Sequence, residues 1–249
     1  MNKKLAFMFL FVIAATLILA GCLGATRMPL HEGTETLDDA GGPVLLMTAT
    51  IRNDYRPNYQ PKLLLVHVEK TNAKPRDNSR EGKINFAADD MAMQPAAVPA
   101  DGRDYLLRLK LPAGPYRICG MTSRIKSFPL IGTFFTPMNI THSVEGSGVF
   151  YIGHVDAIVR ERQGDEFRAG LVTPYLDQAA TGAAGGTFEV SVTDHFETDA
   201  KAFREKFPQL AGVEIKRTIM APFDRAAVQK WWEAPFSRKV CVLPPAPLK

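Results

Sequence analysis

His154 and Asp156 stand two apart in the run Val149-Phe150-Tyr151-Ile152-Gly153-His154-Val155-Asp156, which reads as a strand, so their side chains leave the same face. An imidazole beside a carboxylate on one face is a pair of metal ligands, a general base with its orienting acid, or a polar pair on a solvated sheet face. The other histidines are His31, His67, His142 and His195, with no His-x-x-x-His or Cys-x-x-Cys spacing anywhere. Zinc would therefore need further ligands that spacing does not locate, and no metal ligand set, cofactor motif or catalytic residue is assigned. Asp38-Asp39 and Asp89-Asp90 are adjacent pairs. In an extended chain neighbours face opposite ways, so these read as solvated loop charges rather than a dyad. Gly146-Ser147-Gly148 lacks the Gly-x-Ser-x-Gly spacing of a nucleophile elbow, and Asn139-Ile140-Thr141 matches a glycosylation acceptor.

The N-terminus carries the most specific signal. Lys3 and Lys4 precede an apolar run from Leu5 to Leu19, and Ala20 and Gly21 supply small residues, the layout of an export signal. Leu19-Ala20-Gly21-Cys22 resembles the bacterial lipobox, and the chain is similar to bacterial lipoproteins over this stretch. The resemblance implies that Cys22 becomes the first mature residue and carries the lipid, a diacylglycerol and an acyl chain of the palmitate type, which makes a membrane anchor. Leu23, where inner-membrane retention signals carry Asp, implies forwarding to the outer membrane of a Gram-negative cell, facing the periplasm. Of the formal charge of +4, two units sit on Lys3 and Lys4, leaving +2 on a remainder of mixed charges without a basic block. Nucleic acid is excluded as a partner class on that pattern.

With Cys22 committed to lipid, Cys119 and Cys241 remain. In an oxidising periplasm an even remainder is either a disulfide, fastening the last strand to the middle of the fold, or two separately buried thiols.

Leu23 to Gly42 reads as a flexible tether. Val44–Ile51, Lys62–Glu69, a short piece at Lys83–Phe86 and Tyr105–Lys110 read as strands, the last with Tyr105, Leu107 and Leu109 inward and Leu106, Arg108 and Lys110 outward. Thr71 to Gly102 is otherwise a long loop. Leu111-Pro112-Ala113-Gly114-Pro115-Tyr116 predicts a tight turn with Tyr116–Met121 returning antiparallel. That turn resembles the Leu-Pro-x-Gly-x-Tyr hairpin of transthyretin-like and carboxypeptidase-regulatory-like β-sandwiches, which implies a sandwich of seven or eight strands and a binding or structural module. Ile131–Val144 and Gly148–Arg160 predict the next hairpin, with Val149, Tyr151, Val155, Ala157 and Val159 sharing one face. The apolar stretch Phe128–Met138 is either a core strand with a glycine bend or an exposed patch.

Glu166–Thr173 reads as a strand and the Ala- and Gly-rich stretch Ala179–Gly186 as a flexible joint. Phe188, Val190 and Val192 alternate with polar residues in a further strand. Thr198 is the expected N-cap of a helix presenting Phe203, Phe207 and Leu210, followed by a strand over Val213–Met220. Asp224 caps a second helix, with Phe223 and Val228 as a staple, and Lys239–Leu243 closes the fold. Asp194–Leu210 resembles the C-terminal part of uncharacterised envelope lipoproteins that append a small helix to a β-sandwich.

These readings give a mainly β chain. Residues 1–21 are the signal peptide, 22–42 the tether, 43–178 an antiparallel β-sandwich and 187–249 a small C-terminal α/β extension. The expected function is a lipid-anchored, non-catalytic binding or structural module holding a protein, peptidoglycan or glycan partner. The alternative is an envelope hydrolase that combines His154 and Asp156 with the 71–102 loop, Asp77 to Asp90 in particular.

Overall fold

The computed structural model describes residues 25–31, 42–71, 82–94, 102–234 and Cys241. The tenfold alternation of apolar runs resolves into two five-stranded sheets packed face to face. The first has the order β1 (Thr26–Arg27), β4 (Lys83–Ala87), β3 (Lys62–Lys70), β6 (Gly114–Ser127), β7 (Leu130–Val144). In the second, β5 (Arg103–Lys110) pairs antiparallel with β2 (Val44–Asn53), but β2 pairs parallel with β8 (Val149–Glu161), so this sheet is mixed and not antiparallel throughout as expected. The far edge of β8 is shared end to end: β10 (Ile215–Arg217) runs parallel beside Val149–Tyr151, and β9 (Gly186–Thr193) runs antiparallel beside His154–Glu161. Leu45, Met47, Ala49 and Ile51 of β2 meet Val66, Ile118, Met121 and Phe134 of the first sheet in the central core.

The chain is thus mainly β, with ten strands among the described residues where the turn resemblance implies seven or eight. The turn 111–116 does not close a hairpin. β5 lies in the second sheet and β6 in the first, so the same proline and glycine residues carry the chain around a corner between layers. Likewise β7 and β8 lie in different sheets, and the long hairpin is β6–β7, turning at Phe128-Pro129. Phe128 at that tip is exposed, whereas Phe134 and Met138 further along the same stretch are buried. Both faces of β5 are covered, so Leu106 and Arg108, expected outside, are buried.

Glu166–Thr173 forms no strand; Phe167 and Ala169 plug the core, and only Gly170 makes a bridge, to Phe134. The expected joint 179–186 is packed: α1 (Tyr175–Ala180) and the turn after it bury Thr181 and Ala183 against β7. Thr181 sits so close that a Cβ at Gly132 would collide with its side chain. Residues from 186 on complete the second sheet through β9 and β10 rather than form an appended unit. At the other end, part of the expected tether is folded: β1 pairs with β4, and Met28 and Leu30 are buried.

α2 (Phe196–Lys206) and a 3-10 turn at Pro208–Leu210 lie on the outside of the second sheet, and α3 (Arg225–Glu233) packs near β7. Asp224 accepts from the Ala227 N–H at 2.9 Å, so it caps α3 as its sequence position predicts, and Phe223 and Val228 both join the central core. An ion cluster ties this end together: Glu166 bonds Arg160 at 2.6 Å and Arg225 at 2.7 Å. Arg160 foremost, with the Gln163 N–H and Arg225, holds the Glu166 carboxyl down at about 2, against an ordinary value of 4.5. The Glu166 charge is held more tightly folded than unfolded. Its stabilisation is therefore complete above about 4.5 and fades as the pH falls towards about 2. The Tm advantage of the wild type over Glu166→Gln should shrink across that window in melts at stepped pH; a constant gap would refute the assignment.

Cys119 of β6 is bonded to Cys241, with α-carbons 5.5 Å apart. The strand expected at 239–243 otherwise lies outside the described residues. The bridge closes a sequence separation of 122 residues, a loop whose removal from the unfolded ensemble stabilises by about 4 to 5 kcal/mol in the chain-entropy account. Reduction should accordingly lower the Tm markedly. A non-reduced digest should yield a Cys119–Cys241 cross-linked peptide, and alkylatable thiols in material never exposed to reductant would contradict the pairing.

Candidate functional site

A one-residue bulge in β8 assembles the site. In the β2–β8 ladder Leu46 pairs with Tyr151 but Met47 with Gly153, so Ile152 is the extra residue, and Gly153 takes φ +121°, a conformation that favours glycine. The bulge reverses the alternation. Phe150, Ile152, Val155, Ala157 and Val159 point into the central core, while Tyr151 joins the cluster on the outside. Tyr151 therefore does not share a face with Val155, as strict alternation predicts, and stands instead on the outer face with His154 and Asp156.

The same face receives Thr48 of β2, paired with His154, and the first turn of α2. The helix begins earlier than expected: His195 is the N-cap residue, without a side-chain capping bond, and Thr198 lies inside the first turn. Asp199 follows His195 by four, so both face the sheet from one side of the helix. Asp199 Oδ2 accepts from Thr48 Oγ1 and from Tyr151 OH, each at 2.5 Å. Thr48 has one proton, so its oxygen accepts from His154 Nδ1 at 2.8 Å. His154 Nε2 then lies 3.2 Å from Asp156 Oδ1, and Ser191 of β9 reaches the other oxygen of Asp156 at 3.5 Å. The exposed ring of His195 stacks on His154, with centroids 4.5 Å apart and planes at 22°.

This chain inverts a hydroxyl–histidine–carboxylate relay. In such a relay the hydroxyl is open to substrate and the acid is buried. Here Thr48 is 5 % exposed beneath α2, the Asp156 side chain is 36 % exposed, and the Thr48 proton goes to Asp199. Burial first, then the bond to Asp199, pushes the Tyr151 hydroxyl well above its ordinary value, so it is a fixed donor. The loop residues named with the pair do not extend it. Asp77 lies outside the described residues, Asp89 spends both oxygens on buried Arg108 and the Ala92 N–H, and Asp90 is exposed beside Lys62.

His154, His195 and Asp199 do offer three donor atoms within 4.8 Å of one another. The groups are already engaged, however: His154 faces Thr48 and Asp156 through its two nitrogens, and Asp199 Oδ2 accepts from Thr48 and Tyr151. Thr48, Tyr151, His195 and Asp199 were not legible as partners of His154 in the sequence; the signal available was the i, i+4 spacing of His195 and Asp199. The lipidation residue Cys22 lies outside the described residues.

No protein-family model and no curated protein matches the chain. Among solved structures, 3-chlorocatechol 1,2-dioxygenase from Rhodococcus opacus 1CP aligns over 80 % of this chain and 68 % of its own, with 11 % identity and a TM-score of 0.21. A likeness that slight bears on neither fold nor chemistry.

Asp199→Ala orphans two buried hydroxyls and should destabilise by about 1 to 3 kcal/mol. Thr198→Ala, one residue away and not a cap, should change stability by less than about 0.5 kcal/mol. Urea melts check both, and the reverse order would show that Thr198 caps the helix after all.

Proposed function

We propose that the chain is a lipid-anchored envelope protein, fixed through Cys22 to the outer membrane on its periplasmic side, and that its sandwich is a non-catalytic module that binds an envelope partner. Leu19-Ala20-Gly21-Cys22 at the end of the apolar run carries this reading. The Cys119–Cys241 bond supports it twice, since it suits an oxidising compartment and leaves Cys22 as the third cysteine of three. The inverted hydroxyl chain at His154 favours binding or structure over hydrolysis, because it presents no reachable nucleophile. Protein, peptidoglycan and glycan partners all suit a module of this kind.

The fold adds a constraint on the anchor. Three residues separate Cys22 from Thr26, where the chain joins the sheet. At no more than about 3.6 Å per residue, the leash spans at most about 14 Å. A lipidated Cys22 therefore holds the first sheet's β1 edge close to the bilayer, instead of letting the domain range freely on a long tether.

The wild type should partition into detergent and carry acyl mass on its mature N-terminus, each buried CH₂ contributing about 0.8 kcal/mol to retention. Cys22→Ser should give a soluble or uncleaved product. Recovery of wild-type protein in the aqueous phase, without acyl mass, would end this reading.

A further inference from the structure

We infer that the open cleft formed by β3, β5 and the stem of the β6–β7 hairpin is a binding site for a phosphate-bearing ligand. The inference deepens the binding-module reading by naming the chemistry of what is bound. The cleft encloses roughly 840 Å³. Lys62, Arg103, Arg124 and Lys126 line it, and among the described residues no carboxylate does. The cations are brought together by the fold: Lys62 is directly opposite Arg124 in the β3–β6 ladder, Lys126 follows Arg124 by two on the same face, and Arg103 arrives from the other sheet. Like charges placed opposite each other on a sheet repel.

Partners within the protein do not relieve that repulsion. Lys62 has Asp90 at 3.4 Å, an exposed pair of the kind that is worth little. Among the described residues Arg103 reaches only the sulfur of Met93, at 3.3 Å. The Nε atoms of Arg103 and Arg124 are both removed from solvent and have no hydrogen-bond partner. A buried charged donor without an acceptor is costly and calls for an explanation. Among the described residues neither guanidinium has a carboxylate partner, so the charge each brings to the cleft has no counter-ion, which an oxyanion supplies and a water molecule does not. The planar guanidinium fork matches phosphate and carboxylate alike. Four positive charges around one cleft favour the multiply charged phosphate.

Such a phosphate could belong to a lipid headgroup or to a soluble compound. Cys22→Ser protein recovered from the soluble fraction separates the two, because neither acyl chains nor the N-terminal apolar run then carries it to a vesicle. It is titrated with inorganic pyrophosphate by calorimetry, and floated with phosphatidylcholine vesicles that contain or lack phosphatidylglycerol. Saturable pyrophosphate binding without flotation assigns a soluble ligand; flotation that requires phosphatidylglycerol assigns a headgroup. In either case Arg103→Ala and Arg124→Ala should each weaken binding by roughly tenfold, the loss of one charge-assisted contact. Lys62→Ala and Lys126→Ala, at exposed positions that the fold does not need, should weaken it severalfold, and Lys216→Ala on β10 should leave it unchanged. No binding in either arm, or binding indifferent to all four cleft substitutions, overturns the assignment, whatever is found for Cys22.

Discussion

The second sheet has two apolar faces, and the arrangement of both chain ends follows from covering them. Leu45 and Met47 of β2 point to the first sheet, but Val44, Leu46, Leu106 and Tyr151 point the other way. A sheet, mixed as this one is, can leave one face in water only if that face is polar. Here each large side chain left uncovered would forgo about 1.5 to 3 kcal/mol. Phe203, Phe207 and Leu210 cover the face from the C-terminal side and Leu30 from the N-terminal side. Arg108 is sealed in the same layer, its guanidinium 4.4 Å from the Phe207 ring centroid, bonded to the Pro29 carbonyl at 3.0 Å and paired with Asp89. Residues 26–30 are thus part of the fold, which the chain joins four positions after Cys22.

Covering the sheet with a helix has a polar consequence. The first turn of α2 presses the Asp199 carboxylate onto Thr48 and Tyr151, and burying a charge is expensive unless donors meet it. Two hydroxyls do so, and the carboxylate sits in the helix's first turn, where the peptide dipoles favour negative charge. Because the Tyr151 proton is held so firmly, the cluster is a rigid polar plug between helix and sheet. His154 is its outermost link towards Asp156 and Ser191.

Much of the fold was legible because alternation is a direct image of a half-buried strand. β9, with Phe188 and Val190 inside and Glu189 and Ser191 outside, reads the same in sequence and structure. β5 was misread on its outer face, since nothing local tells Leu106 that a helix from a hundred residues later will cover it. The bulge hid the site. One extra residue at Ile152–Gly153 changes the partner of every later side chain in β8, and a glycine in a strand does not announce which side it will turn. Turn chemistry was equally ambiguous: Pro and Gly residues at 112–115 stop a strand, but whether the chain returns beside it or crosses to the other sheet depends on which strands compete for its edge. Of the candidate pair, the shared face of His154 and Asp156 was legible; the buried hydroxyl and acid behind them, supplied by β2 and α2, were not.

Two polar regions of this molecule can be compared on one physical test, whether donors and acceptors balance. In the Thr48–Tyr151–His154–Asp199 cluster each hydroxyl proton has an acceptor and the buried carboxylate has its donors, so nothing there waits for a ligand. Elsewhere single neutral groups such as the hydroxyls of Ser123 and Thr136 lack partners inside the core, where no solute can reach them. The cleft beside Lys62 differs from both. Its two arginines line a common space, each with an unpartnered Nε behind it, and the charges that line that space among the described residues have one sign. A folded chain tolerates repulsion of that kind at a cost in stability, and an anion arriving from outside removes it. The asymmetry between a satisfied plug and an unsatisfied cleft is therefore an argument about where binding energy is available, and it places it away from the histidines that first draw the eye in the sequence.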